Sequence, residues 1–211
     1  MQRLGQEGLT VPGLLTSSGG ADEATSAAMP AGFAVLPGHA LPAAVVADLR
    51  TDHAGETGAV RIYQGVLSFA RDPALRAFAQ RHLATEQTHL RHIDAWLAPA
   101  DRSRLLPVWR LAGWLTGALP ALLGPRAVYG TIEAVERFVD QHYEEQIERL
   151  AAQPSLWPVR QVLLDCQGDE VAHREEAAAA LGADEPGLVL RAWGWLVDVG
   201  SRGAVAVCRR V

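Results

Sequence analysis

The sequence predicts an all-α protein: a four-helix bundle with an apolar helical insertion between its second and third helices and a C-terminal helix suited to an interface. Two observations carry that expectation. Four long segments repeat apolar residues at helical spacing, and in each of them a glutamate falls inside the apolar stripe rather than opposite it. At 211 residues the chain is long enough for one domain with a buried core.

Residues 1–41 are rich in Gly, Ala, Ser, Thr and Pro with no sustained apolar period, and read as a loosely ordered tail in which residues 33–36 could dock on the body. Residues 42–211 form the domain proper. Its first helix should run from about residue 42 to 70, closing before Asp72-Pro73, with Leu49, Glu56, Val60, Tyr63 and Leu67 on one face. The second, from about 73 to 97, sets Leu75, Leu83, Leu90, Ile93 and Trp96 around Glu86 and His89. The third, from about 126 to 152, sets Ile132, Val139, Tyr143 and Ile147 around Glu136. The fourth, from about 156 to 181, sets Leu163, Cys166, Ala177 and Leu181 around Glu170 and His173.

Six of these residues form one phrase written twice: Glu56 followed by Glu86-x-x-His89, then Glu136 followed by Glu170-x-x-His173. The x-x spacing sets Glu and His about 60° apart on one helical face, so both can reach the same core. Together they supply the four Glu and two His of a ferritin-like dinuclear carboxylate site, which makes the expected fold a ferritin-like bundle. Four converging carboxylates would repel each other, and burying them unpaired is costly. Bound divalent cations reverse that balance. Oxygen-rich ligation with two imidazoles suits iron or manganese better than structural zinc. Each imidazole should bind metal through one nitrogen and donate from the other to an acid, for which Asp169 and Asp140 are candidates. His53, one turn before Glu56, is a further supporting candidate. His82 and His92 read as surface histidines, and Glu144, Glu145, Glu148, Glu175 and Glu176 as a solvated face.

Composition narrows the remaining classes. A formal net charge of -5 argues against nucleic acid as a partner. Lysine is absent, so apart from histidine every basic side chain is arginine. Cys166 and Cys208 lie in separate predicted helices, which argues against a disulfide framework, a zinc ribbon or a cysteine-held cluster. The N-terminal stretch lacks a basic-then-apolar signal pattern and carries Glu7, Asp22 and Glu23, which a transit peptide would avoid.

The insertion, centred on residues 105–125, is apolar but interrupted by Pro107, Arg110 and Pro120, too short a run to span a bilayer comfortably. Residues 188–207 carry Trp193, Trp195 and Leu196 alongside Arg191, Asp198 and Arg202. Both suit helices lying in a membrane interface, with packing on the bundle or a dimer contact as the alternative.

Asp52-His53-Ala54-Gly55-Glu56, with Gly58-Ala59 and Ile62-Tyr63, resembles the first helix of the demethoxyubiquinone hydroxylases, the di-iron monooxygenases of late ubiquinone biosynthesis. Glu86-Gln87-Thr88-His89, Val135-Glu136 with His142-Tyr143 and Gln146-Ile147, and Asp169-Glu170-Val171-Ala172-His173 resemble the other three, and the Leu-Pro-x-Trp and Ala-Leu-Leu-Gly elements of the insertion extend the likeness. The resemblance implies that Glu56, Glu86, His89, Glu136, Glu170 and His173 hold two Fe ions. It also implies that O2 hydroxylates the ring of a membrane-borne polyprenyl methoxy-benzoquinol, and that His142 and Tyr143 serve in reducing the site. Helix geometry adds that Tyr143 shares the face of Glu136, whereas His142 points away. Arg137 stands where the family often has a second acid. NADH, a reductase and the quinol itself stay open as electron sources. The implied setting is peripheral membrane contact, on the cytoplasmic face of the inner membrane in a bacterium, with a homodimer and a lipid-binding accessory protein as partners. The rivals are a bacterioferritin-like iron-storage protein, against which the Trp-rich insertion speaks, and a tRNA-modifying di-iron hydroxylase, against which net acidity speaks.

Overall fold

The computed structural model describes residues 40–182 and 187–211. The four predicted bundle helices appear as α1 (Ala43–Phe69), α2 (Pro73–Asp94), α4 (Pro125–Ala151) and α5 (Trp157–Leu181). The insertion forms α3 (Leu106–Leu123) and the C-terminal segment α6 (Leu188–Cys208). The largest shift from expectation is at the end of α2, which stops at Asp94. The docking expected of residues 33–36 lies outside the described residues.

Local chemistry explains the boundaries. Pro73 takes the first turn of α2, where its missing N–H is no loss, and Asp72 caps it by accepting from Leu75 N at 2.8 Å. Between α3 and α4 only Gly124 intervenes; its φ of 105° is a backbone state that side chains disfavour, so glycine makes this one-residue turn.

The core lies in two apolar layers. One gathers Tyr63, Val66, Leu75, Phe78, Val128 and Ile132; the other gathers Leu49, Ile93, Tyr143, Ile147, Leu163 and Cys166. Each of α1, α2, α4 and α5 contributes to both. Glu56, Glu86, Glu136 and Glu170 fall between the two contributions of their helices, which places the acids in the middle of the bundle. Burying a Leu or Ile side chain contributes roughly 1.5–3 kcal/mol, so these layers are what hold the acids together against their repulsion.

The insertion is built onto the bundle. A Cβ on Gly117 would strike the carbonyl oxygen of Ile62, and one on Gly65 that of Trp114, so α3 and α1 meet backbone to backbone. On other faces of α3, Val108, Leu111, Leu119 and Leu122 are exposed. Helix α6 crosses α4, fixed by Trp193 Nε1 donating to Thr131 Oγ1 at 2.9 Å, and its end reaches α1 through an Arg209–Asp48 ion pair. Among the described residues no helix is long and apolar enough to cross a membrane. Cys166 and Cys208 are buried free thiols.

Candidate metal centre

All six residues singled out by spacing converge. Glu56, Glu86, His89 and Glu170 form one group, and Glu86, Glu136, Glu170 and His173 a second, each with ligand atoms within 4.8 Å of one another. The two groups share Glu86 and Glu170, one from each Glu-x-x-His pair. The lone acids of α1 and α4 serve one group each. No glutamate among them is more than 3 % exposed.

Hydrogen bonding is incomplete in a telling way. Glu56 Oε2 and both oxygens of Glu86 are buried without a hydrogen-bond partner. His173 Nδ1 comes within 3.1 Å of Glu86 Oε1, and His89 Nδ1 within 3.7 Å of Glu86 Oε2, but these approaches do not satisfy the oxygens. Donor atoms that crowd together without bonding one another suit cations seated between them. The set of four carboxylates and two imidazoles fits iron or manganese.

The surrounding groups fix the inner ones. His89 turns Nδ1 to Glu170 Oε1 at 3.1 Å and Nε2 to Asp169 Oδ2 at 3.0 Å, the arrangement expected of an imidazole oriented by an outer acid. Asp140 does not take that role; it binds Gln167 and Arg174 on α5 instead. Nor does His53, whose Nε2 lies 3.2 Å from Asp94. Tyr143 donates to Glu56, and Tyr63 donates to Glu136 Oε1 at 3.1 Å.

Burial and mutual repulsion set the protonation of the metal-free centre. Burial, then the charges of Glu86 and Glu170, push the Glu56 carboxyl well above the usual range. Burial, Glu170 and Glu86 do the same to Glu136. Glu86 goes the other way: burial pushes it up, but the adjacent His173 and His89 imidazoles prevail and hold it at about 2. Burial pulls His173 down, and Glu170 and Glu86 outweigh it, raising the ring to about 9. His89 is raised above the usual imidazole range against the same opposition from burial, chiefly by Glu170 and Glu86.

Two features differ from the sequence expectation. His82 is buried, not on the surface: its ring centroid lies 4.0 Å from that of His173, and its Nε2 is 2.9 Å from Glu176. Its place four residues before Glu86 was the available signal. The second is a polar cluster around Asp52, of which spacing gave no sign. Asp52 Oδ1 accepts from Gln146 Nε2 at 2.6 Å and meets His142 Nε2 at 3.0 Å. His142 Nε2 also lies 3.0 Å from Thr51 Oγ1, whose hydroxyl donates to the Asp48 carbonyl at 2.7 Å. Gln146 Nε2 also lies 3.0 Å from His142 Nε2, and Asp52 Oδ2 is buried without a partner. Tyr143 thus reaches the carboxylates as its helix face predicts, while His142 turns to α1.

A cavity of about 410 Å³ opens beside the centre, bordered by Glu56, Glu136, Glu170, Tyr143, Asp52 and His142. Its remaining wall is mostly apolar, with Ile62, Trp109, Val139, Trp193, Leu196 and Val197 from α1, α3, α4 and α6. That volume lies within the roughly 300–1,000 Å³ of small-molecule sites.

A family model for ubiquinone biosynthesis protein COQ7 matches residues 43–208. The chain is 34% identical over 180 residues to the 3-demethoxyubiquinol 3-hydroxylase of Rhodospirillum rubrum, covering 83% of each chain. It is 32% identical over 150 residues to the 3-demethoxyubiquinol 3-hydroxylase of Ralstonia pickettii, covering 68% of this chain and 66% of that one. Similarity extends to a mitochondrial NADPH-dependent 3-demethoxyubiquinone 3-hydroxylase of Caenorhabditis elegans, 28% identical over 169 residues, 77% of this chain and 88% of the other.

Proposed function

The chain belongs to the COQ7 family of ubiquinone-biosynthesis proteins, and from that premise we propose that it hydroxylates the ring of a polyprenyl methoxy-benzoquinol with O2 at a centre of two iron ions. One observation supports this reading most: two four-residue groups share Glu86 and Glu170 at the wall of an apolar cavity. In this reading Glu86 and Glu170 would serve both ions, Glu56 and His89 would help hold one, and Glu136 and His173 the other. The relatives' names favour ring hydroxylation over iron storage and over tRNA modification.

When bound, the iron pair supplies the reductive activation of O2 that carboxyl and imidazole groups cannot perform. The protein's own contribution is placement. Tyr63 and Tyr143 hold the two unshared carboxylates, and Asp169 holds the far nitrogen of His89, so the inward groups keep one orientation. The apolar wall excludes water and seats the ring against the carboxylate edge. Helices α3 and α6 wall the cavity and carry exposed apolar residues on their outer faces, which are suited to peripheral contact with a membrane that holds the polyprenyl tail.

The test is anaerobic loading with ferrous iron, then addition of O2 and a demethoxyubiquinol, with product mass measured. The mitochondrial relatives are named as NADPH-dependent, so NADPH and NADH are supplied in separate arms. Wild type should add one oxygen atom and Glu136→Ala and His173→Ala should not. Turnover retained in both variants contradicts the assignment.

A further inference from the structure

We propose that His82 is the positioning residue of the Glu136–His173 half of the centre, bracing the ring of His173 and the phenol that holds Glu136 from a place that Glu176 fixes at the surface. This rests on the metal-binding reading above and adds how the second half keeps its geometry.

The two inward histidines are supported differently. His89 is held at its edge, with Asp169 Oδ2 3.0 Å from its outer nitrogen Nε2. His173 turns Nδ1 to Glu86 at 3.1 Å and to Glu170 at 3.2 Å, and among the described residues no acid meets its Nε2. What it has instead is a neighbouring ring. The centroid of His82 lies 4.0 Å from that of His173, with the planes tilted by 48°.

His82 is 3% exposed on α2, wedged between His173 of α5 and Phe78, whose ring centroid is also 4.0 Å away. A carboxylate only accepts, so His82 Nε2 donates to Glu176 Oε2 at 2.9 Å, which leaves Nδ1 facing the Tyr63 hydroxyl at 3.5 Å. That hydroxyl donates to Glu136. One imidazole therefore touches both His173 and the support of Glu136, the two residues that belong to this half alone. Glu176 is 46% exposed, follows His173 by three residues on α5 and pairs with Arg81 on α2. The tether thus ties together the two helices that carry Glu-x-x-His. If the space needed only filling, a leucine or phenylalanine would fill it without desolvating an imidazole, which is costly unless its nitrogens are bonded. Here the bond to Glu176 offsets that cost and fixes the ring.

The experiment titrates the full chain with cobaltous ion, following metal bound and the visible absorption that reports ligand geometry. Wild type should take up two ions. His82→Phe keeps a ring of similar size and removes both nitrogens. It should weaken one binding step about tenfold or more and shift the absorption of that ion, leaving the other step within about threefold. The affected step should be the one that Glu136→Ala removes. Glu176→Ala should weaken the same step, and Glu176→Gln, which keeps an acceptor for Nε2, should restore it. That rescue separates positioning from space filling, since neither Glu176 substitution alters the buried ring. Both steps unchanged in His82→Phe and Glu176→Ala, or both weakened equally, overturns the proposal. The Glu176 pair decides it even if His82→Phe does not fold. Wild type that takes up no ions sinks the metal-binding reading itself, whereas two ions in wild type and unaltered variants sink the role of His82 alone.

Discussion

Tyr63 on α1 donates to Glu136 on α4 at 3.1 Å, and Tyr143 on α4 returns the same bond to Glu56 on α1. Each unshared carboxylate of the centre is therefore held by a phenol from the opposite helix. Both phenols are themselves raised well above their ordinary range, by burial first and by the acids they face, so they remain donors.

Removing one phenol should loosen one half of the centre. Tyr63→Phe keeps the ring and deletes the donor to Glu136. By the usual cost of losing an orienting group around a metal ligand, affinity at the Glu136–His173 half should fall about 10–100-fold while the other half changes little. A stepwise ferrous or manganous titration resolves the two. Identical titrations for variant and wild type would mean that the phenol does not orient the carboxylate.

The sharing of Glu86 and Glu170 predicts unequal losses. Glu170→Ala removes a ligand from both groups and should abolish binding of both ions, whereas Glu56→Ala strips one group and should leave one ion bound. Elemental analysis of metal per chain after reconstitution checks this. Equal residual metal in the two variants would contradict the bridging arrangement.

The metal-free and metal-loaded proteins should respond oppositely to pH. Stability falls with rising pH wherever the native state holds more protons than the unfolded one. Raised groups do that: His173, lifted from 6.5 to about 9, contributes stability that is fully present below 6.5 and lost through about 9, and His89 acts in the same direction. Glu86, held at about 2, has the opposite sign, but its effect is confined to acid below 4.5. The metal-free chain should therefore melt at a lower temperature at pH 9 than at pH 6.5. Cations bind the deprotonated ligands, so excess manganous ion should stabilise more at the higher pH. Thermal melts at both pH values, with and without metal, decide it. A metal-free Tm that rises over this window refutes the charge balance described.

How much of this could be read from the chain depends on distance along it. Glu-x-x-His is a local pattern, and helix periodicity carries it straight to the core, so all six inward residues and the six helices were legible. His82 obeys the same period, four residues before Glu86 and seven before His89, and is buried where the sequence reading puts it at the surface. The Tyr63–Glu136 and Gln146–Asp52 bonds join residues 73 and 94 apart. No periodicity encodes which pairs across helices will meet; that is set by helix register. Asp140 shows the converse: a candidate to support a histidine ligand, it is claimed by Arg174 and Gln167 of α5.

The last prediction concerns the apolar outer faces. Leu111 is 60% exposed and Leu122 62% on α3, while Trp195 is 67% exposed on α6. Water-exposed leucines in this number on helices that also frame the cavity fit a lipid surface, where each would lose its contact with water. The inner face of α3 is fixed to α1 at Gly117 and Gly65, so altering the outer face should leave the bundle intact. Leu111→Glu with Leu122→Glu should weaken cosedimentation with phosphatidylcholine vesicles about tenfold or more, given the area each leucine buries. Iron content should not change, and because the attraction is apolar, raising salt should not release wild type. Vesicle binding that persists undiminished in the double variant, or that salt abolishes in wild type, would remove these faces as the membrane contact.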